Sequence, residues 1–227
     1  MRRYDTIMEI GKADRYDHIV EVEKFNPYHD SRGRFASASG SMAVGMGVDG
    51  YAGGGIQAAI AGTLRDAEKK NMGLDHEVAT IVNPSNGKVL FSKEGGAAGV
   101  SFNSSEAREI SRKILTHNHP DNLIFSPTDV AMSYHLKSIR ATTPEGDVYE
   151  LSGMNRRDAI NAYRDHYMAA RAESFKKLGI PEGTLDRDLQ GEQRTGSFSH
   201  ISESCHKWLT DNAGKYRYQY TKGRIEE

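Results

Sequence analysis

Residues 56–220 predict an α/β layered domain, preceded by a flexible N-terminal arm. Three observations carry this. Short apolar or alternating runs at 76–82, 88–92, 113–117 and 138–153 are interleaved with helix-like stretches at 56–73, 103–110, 126–137 and 155–179, and strands alternating with helices imply helices packed on a sheet. Cap and turn residues punctuate the joins. Residues 37–55, "SASGSMAVGMGVDGYAGGG", hold seven glycines and one charge. That composition reads as a flexible linker, because glycine loses the most backbone freedom on ordering, and it puts a domain boundary near Gly55.

Residues 1–36 are polar and charged. Within them "HIVEVEKF" (18–25) alternates weakly, as a short strand would, and "FNPYHDSRGRFASASGS" mixes the residues of a loop. After the linker, 56–73 places Ile56, Ile60, Leu64 and Ala67 on one helical face, with Gly73 as the expected C-cap. "HEVATIV", "NPSNG" and "KVLFS" read as strand, turn and strand. "NSSEAREI" opens on cap residues followed by Glu106, so a helix starts there. "KILTH" (113–117) suits a buried strand. "SPTDVAMSYHLK" (126–137) has Ser at N-cap, Pro at N1 and Asp at N3, a strong helix start. Residues 138–153 read as a hairpin around Pro144-Glu145-Gly146-Asp147. A long helix follows over 155–179, with Ile160, Tyr163, Tyr167, Ala170 and Phe175 as its buried stripe and Gly179-Ile180-Pro181 as its stop. Residues 181–197 read as a polar loop, 200–214 as a closing helix, and 215–220 as an edge strand. No internal repeat is present.

Composition excludes several function classes. The chain has 227 residues, 37% of them hydrophobic, and a formal net charge of −1; it lacks the basic stripe that neutralises phosphates in a non-specific nucleic-acid binder. No apolar run approaches the roughly 20 residues that span a bilayer, and the first residues carry charges where a secretion signal needs its apolar segment. The single Cys205 rules out an internal disulfide framework and suits a reducing compartment.

The densest chemistry lies in "THNHPDNLIFSPTDV" (116–130). A polar loop and a capped helix explain its parts separately. Together they suggest more. Residues i and i+2 of a strand point to one side, so His117 and His119 can face one point. Asp129 sits in the first turn of a helix ten residues on, and the six residues between His119 and Ser126 allow the chain to double back. Two imidazoles and one carboxylate leave the fourth tetrahedral position of a Zn²⁺ open to water, as a catalytic site requires. Hydrolysis then needs a proton acceptor and an oxyanion donor. Glu77, opening the apolar run "EVATIV", is the candidate base; Ser126 is the candidate donor. Glu94 and Glu106 are the alternative carboxylates.

His117-x-His119-Pro120 followed by Ser126-x-x-Asp129, with an upstream Glu on a strand, resembles the JAB/MPN (JAMM) metalloenzymes, in their prokaryotic and RadC-like branch. The order strand with Glu, turn, strand, helix, strand with HxH, loop, helix with SxxD is similar to theirs over residues 74–140. The gap between His119 and Ser126 is one residue shorter than their commonest pattern. The resemblance implies a cytidine-deaminase-like mixed sheet flanked by helices. It implies His117, His119 and Asp129 as Zn²⁺ ligands, Glu77 as general acid/base and Ser126 as oxyanion helper. Its implied substrate is a peptide or protein, ubiquitin-like proteins among them. A second segment, "EKFNPYHDSRGRFASA" (23–38), resembles a short element of phage and prophage head- or portal-associated proteins. That implies docking to head proteins through the arm, and a location in a bacterial cytoplasm or on a virion.

Three functions compete: a zinc peptide or isopeptide hydrolase, a virion-associated docking module with an idle JAB-like domain, and a RadC-like role near DNA. The near-neutral charge speaks against the last. Elsewhere, His200, Cys205 and His206 read as a buried cysteine between surface histidines, since adjacent helical residues chelate poorly. His135 and His166 are expected away from the site, and Trp208-Leu209 in the core. "GYAGGG" (50–55) lacks the strand and lysine of a phosphate cradle.

Overall fold

The computed structural model describes residues 8–11, 52–96 and 99–225. The expected strand at 18–25, the 23–38 segment and most of the linker lie outside these residues. The elements are β1 (Met8–Gly11), α1 (Ala52–Asn71), β2 (Val78–Val82), β3 (Val89–Glu94), β4 (Gly99–Phe102), α2 (Ser104–Ile110), β5 (Ile114–Asn118), α3 (Pro127–Ser133), β6 (Ser138–Thr142), β7 (Asp147–Ser152), α4 (Arg157–Lys177), α5 (Gly191–Tyr216) and β8 (Gln219–Arg224).

Six strands form one mixed sheet in the order β3-β2-β5-β6-β7-β8, antiparallel except for the parallel pair β5–β6; β1 and β4 form a separate antiparallel pair. Strand alternation divides the sheet into two faces. Thr116, Arg140, Glu150 and Thr221 stand in register on one face, and His117, Ala141 and Tyr149 on the other. Helix α1 covers part of the first face. There Glu68, almost fully buried, accepts from Thr116 (3.0 Å) and from Arg140 Nε (2.6 Å), so a carboxylate inside the layer is matched by a cation and a hydroxyl. Helices α4 and α5 cover the second face, where Tyr163, Tyr167, Phe198, Ile201 and Leu209 join Leu115, Ile139 and Leu151 in the main core. The expected α/β architecture is present.

Several boundaries differ from expectation. Helix α1 begins at Ala52, four residues inside the stretch read as linker. Ile60 and Leu64 pack against Val82 and Ile114, and helix propagates cheaply backward from a turn that packing already holds. It ends at Asn71 in a tight turn, and Gly73 takes no left-handed conformation. Helix α3 stops at Ser133 because the chain tightens into i→i−3 bonds through Tyr134, His135 and Leu136. Helix α4 ends as expected. Gly179 adopts φ 63°, and Ile180 N bonds Phe175 O at 2.8 Å, closing a Schellman motif. The polar loop expected to run to residue 197 ends early, since α5 starts at Gly191. Its first turns pair with α4 through Ser174 and Ser197, so tertiary packing overrides a polar, glycine-containing sequence. The closing strand is shifted to 219–224 because Lys215 and Tyr216 stay helical and Arg217, at φ 61°, reverses the chain. No helix among the described residues is long and apolar enough to cross a membrane.

Candidate metal centre

The centre forms where β5 leaves the middle of the sheet. β5 is buried along its whole length between β2 and β6. Its parallel ladder with β6 runs one residue past the strand, as His119 N donates to Thr142 O at 2.8 Å. His119 therefore keeps strand geometry, and the i, i+2 relation holds. The two Nε2 atoms lie 2.8 Å apart, with the rings at 76°. His119 Nδ1 lies 2.7 Å from Leu123 O. A carbonyl only accepts, so Nδ1 carries the proton and Nε2 presents a lone pair.

Asp129 completes the group. Its Oδ1 is 3.5 Å from His117 Nε2 and its Oδ2 is 3.5 Å from His119 Nε2. Ser126 and Asp129 cap each other: Ser126 N donates to Asp129 Oδ2 at 2.7 Å, and Asp129 N donates to Ser126 Oγ at 3.2 Å. The cap that starts α3 also holds the carboxylate in one orientation. Burial alone would raise the Asp129 pKa. Attraction and hydrogen bonding to His117 and attraction to His119, with the Ser126 bond, outweigh it and hold the carboxyl below its usual range.

Glu77 comes in from the other side, one residue ahead of β2, and is fully buried. Glu77, His117 and His119 each offer a ligand atom, all within 4.8 Å of one another. The backbone of Glu77 is tied to Gly95 and Gly96 (Gly95 N to Glu77 O, 2.8 Å; Glu77 N to Gly96 O, 3.0 Å). The alternative carboxylates are elsewhere: Glu94 is exposed, and Glu106 caps α2 and pairs with Lys93.

These residues fit a metal ion. At the bond lengths zinc makes to nitrogen and oxygen, neighbouring ligand atoms of a tetrahedron are about 3.3 Å apart; the two Nε2 atoms stand 2.8 Å apart, and each lies 3.5 Å from a different oxygen of the Asp129 carboxylate, so the three side chains converge within coordinating reach of one point. Asp129 Oδ1, fully buried, has only the long 3.5 Å approach of His117 Nε2 among the described residues, a shortfall that a cation would correct. His117 Nδ1 likewise has no hydrogen-bond partner among them.

The structure thus brings together all five residues singled out in the sequence: Glu77, His117, His119, Ser126 and Asp129. It adds one that was not. Asn118, between the histidines, points to the opposite face. Its Oδ1 accepts from Val78 N (2.7 Å) and its Nδ2 donates to His76 O (2.8 Å), so it grips the chain on both sides of Glu77. Strand alternation marks Asn118 as facing away from the histidines, but nothing local reveals partners 40 and 42 residues earlier. His135, His166 and His206 lie apart from this group. His135 is buried with its pKa lowered by desolvation, His166 bonds Ser204, and His206 bonds Tyr220. Cys205 is buried, as expected, and burial pushes its thiol pKa up to about 12. No family model, curated protein or solved structure matches the chain.

Proposed function

We propose that this chain is a zinc-dependent hydrolase of the JAMM type that cleaves a peptide or isopeptide bond in a protein substrate. One observation carries the reading: two imidazole nitrogens 2.8 Å apart each lie 3.5 Å from an oxygen of one hydrogen-bonded carboxylate, with a second carboxylate alongside. His117, His119 and Asp129 would hold the ion. A Zn²⁺ there supplies Lewis acidity and lowers the pKa of a coordinated water to about 7. Glu77 takes the proton of the attacking water and returns it to the leaving amine. The Ser126 hydroxyl oxygen accepts from Asp129 N, so its proton is free to donate to the oxyanion that develops on the substrate carbonyl. The test is zinc analysis of the full chain and of His119→Ala, expected at one ion and none. Equal zinc in both overturns the proposal.

A second reading has one observation in its favour. All five side chains belong to residues no more than 2% exposed, and a closed site suits a structural ion. Glu77 decides between the readings. If it ligates together with the histidines and Asp129, four protein ligands close the tetrahedron and the ion is structural. If it stands beside the ion, one position stays open. Glu77→Gln separates them: retained zinc with lost peptidase activity supports the hydrolase, whereas lost zinc supports the structural site.

A further inference from the structure

We infer that Arg194 is a positioning residue for the metal centre, its forked ion pair with Asp121 setting where His119 points. The inference rests on the metal reading above. It assigns the C-terminal helix α5, which lies outside the stretch carrying the motif, a direct part in building the centre.

The loop 120–125 joins His119 to Ser126 and therefore sets both histidine and carboxylate. Its inner residues Leu123, Ile124 and Phe125 are fully buried. Its backbone is gripped from outside: the Tyr163 hydroxyl on α4 donates to Phe125 O, and Ser202 Oγ on α5 donates to Asn122 O at 3.0 Å. Asn122 itself sits at φ 59°. The ionic anchor is Arg194, with Nε 2.9 Å from Asp121 Oδ1 and Nη2 2.9 Å from Oδ2. Two parallel bonds fix the carboxylate's orientation as well as its position, which a point charge cannot do. Only Pro120 separates Asp121 from His119, and its ring locks φ near −65°. That removes one torsion between the anchor and His119, and the loop so held also carries Leu123 O, the carbonyl that receives the His119 Nδ1 proton at 2.7 Å. The far side of the anchor is equally firm. The Arg194 guanidinium lies 5.6 Å from the Phe198 ring centre, one turn along α5, and Phe198 is fully buried.

The pair is not needed to hold α5 in place. Phe198, Ile201, Cys205 and Leu209 bury the helix's inner face independently, and partly exposed pairs contribute little to stability. Its loss should therefore be felt at the metal more than in the fold.

The test uses the full chain with Arg194→Met, Arg194→Lys and Asp121→Asn. Zinc affinity is read by competition with a chromophoric chelator, and ligand geometry by the visible spectrum of the Co²⁺-loaded chain. Loss of a partner that orients a ligand typically weakens metal binding roughly 10- to 100-fold. Arg194→Met and Asp121→Asn should both do so and shift the Co²⁺ bands, with far-UV circular dichroism unchanged. Arg194→Lys should recover only part, since an ammonium cannot fork. Wild-type zinc affinity and spectrum in both variants overturn the inference while leaving the metal reading intact. A wild-type chain that takes no zinc overturns both. If Arg194→Met alone fails to fold, Asp121→Asn decides by the same outcomes; if neither folds, the pair is structural and the inference fails.

Discussion

Replacing Asn118 by Ala tests whether the middle residue of His-Asn-His holds Glu77 in place. Asn118 is fully buried and makes two short bonds, 2.7 Å from Val78 N and 2.8 Å to His76 O. Truncation leaves the Val78 N–H, on a buried residue, without an acceptor, at a cost of about 1–3 kcal/mol. The His76 carbonyl, on a half-buried residue, can turn toward water, so its loss is nearer the ordinary net value of about 0.5–1.5 kcal/mol. The total is about 1.5–4.5 kcal/mol. In a domain of this size each kcal/mol moves Tm by about 2–4 °C, so the expected drop is about 3–18 °C. Scanning calorimetry of the metal-free chain measures it without interference from metal loss. His119 keeps its anchors at Thr142 O and Leu123 O, and His117 keeps its place in strand β5. Zinc content should therefore stay near wild type while peptide hydrolysis falls. A Tm within about 1 °C of wild type would refute the argument that these two bonds secure the segment around Glu77.

Gly95 adjoins the same segment, and a Cβ there would sit 2.1 Å from Gly99 O and 2.8 Å from Val100 Cγ2; Gly95→Ala should destabilise by about 1–3 kcal/mol. Gly96→Ala, whose Cβ meets nothing within 4 Å, should do little, and equal urea midpoints for the two would contradict the steric account. Acid should loosen α2. Lys93, hydrogen-bonded to Glu106 at 2.6–2.8 Å, and the Asn103 N–H hold the Glu106 carboxyl below its ordinary 4.5. A depressed folded pKa means stability that is complete above the unfolded value and lost as pH falls through the folded one. Wild type and Glu106→Gln should therefore differ in urea stability at neutral pH and converge as pH falls through the lowered carboxyl pKa; a gap that persists in acid would show that charge is not the cause.

How much of this was legible in the sequence depends on how far apart the interacting residues lie. Asn103-x-x-Glu106 and Ser126-x-x-Asp129 are readable because a capping box closes within one turn. His117-x-His119 is readable because strand alternation is local. Pairing Glu77 with them needed a strand order that only resemblance suggested, and the β2–β5 register, with Ala79 opposite His117, supplies it. Asn118–Val78, Arg194–Asp121 and Glu68–Arg140 span 40, 73 and 72 residues, and no local pattern marks either end. The misplaced ends of α1 and α5 have the same origin: glycine-containing and polar turns are helical there because neighbouring turns are packed, which propensity cannot express.

Most of the groups that would surround the proposed ion are held from behind by the fold itself. His119 is fixed at both backbone and ring by Thr142 O and Leu123 O. Asp129 is fixed by the cap with Ser126, and Glu77 is bracketed by Asn118 and the Gly95–Gly96 backbone. His117, with no hydrogen-bond partner at Nδ1 among the described residues, is held by strand β5 alone. A small zinc module owes its fold to the ion because its ligands have no other support. Here the supports belong to a six-stranded sheet and the helices packed on it, so the cost of assembling the centre is met by the fold. On the proposed metal reading, a bound ion would add stability by mass action, with the logarithm of one plus its concentration over its dissociation constant, and a folded metal-free state would be the starting point for loading. On the same reading the ties of the 120–125 loop to α4 and α5 have a role: a site that exists before its ion must have its ligands positioned by something other than the ion.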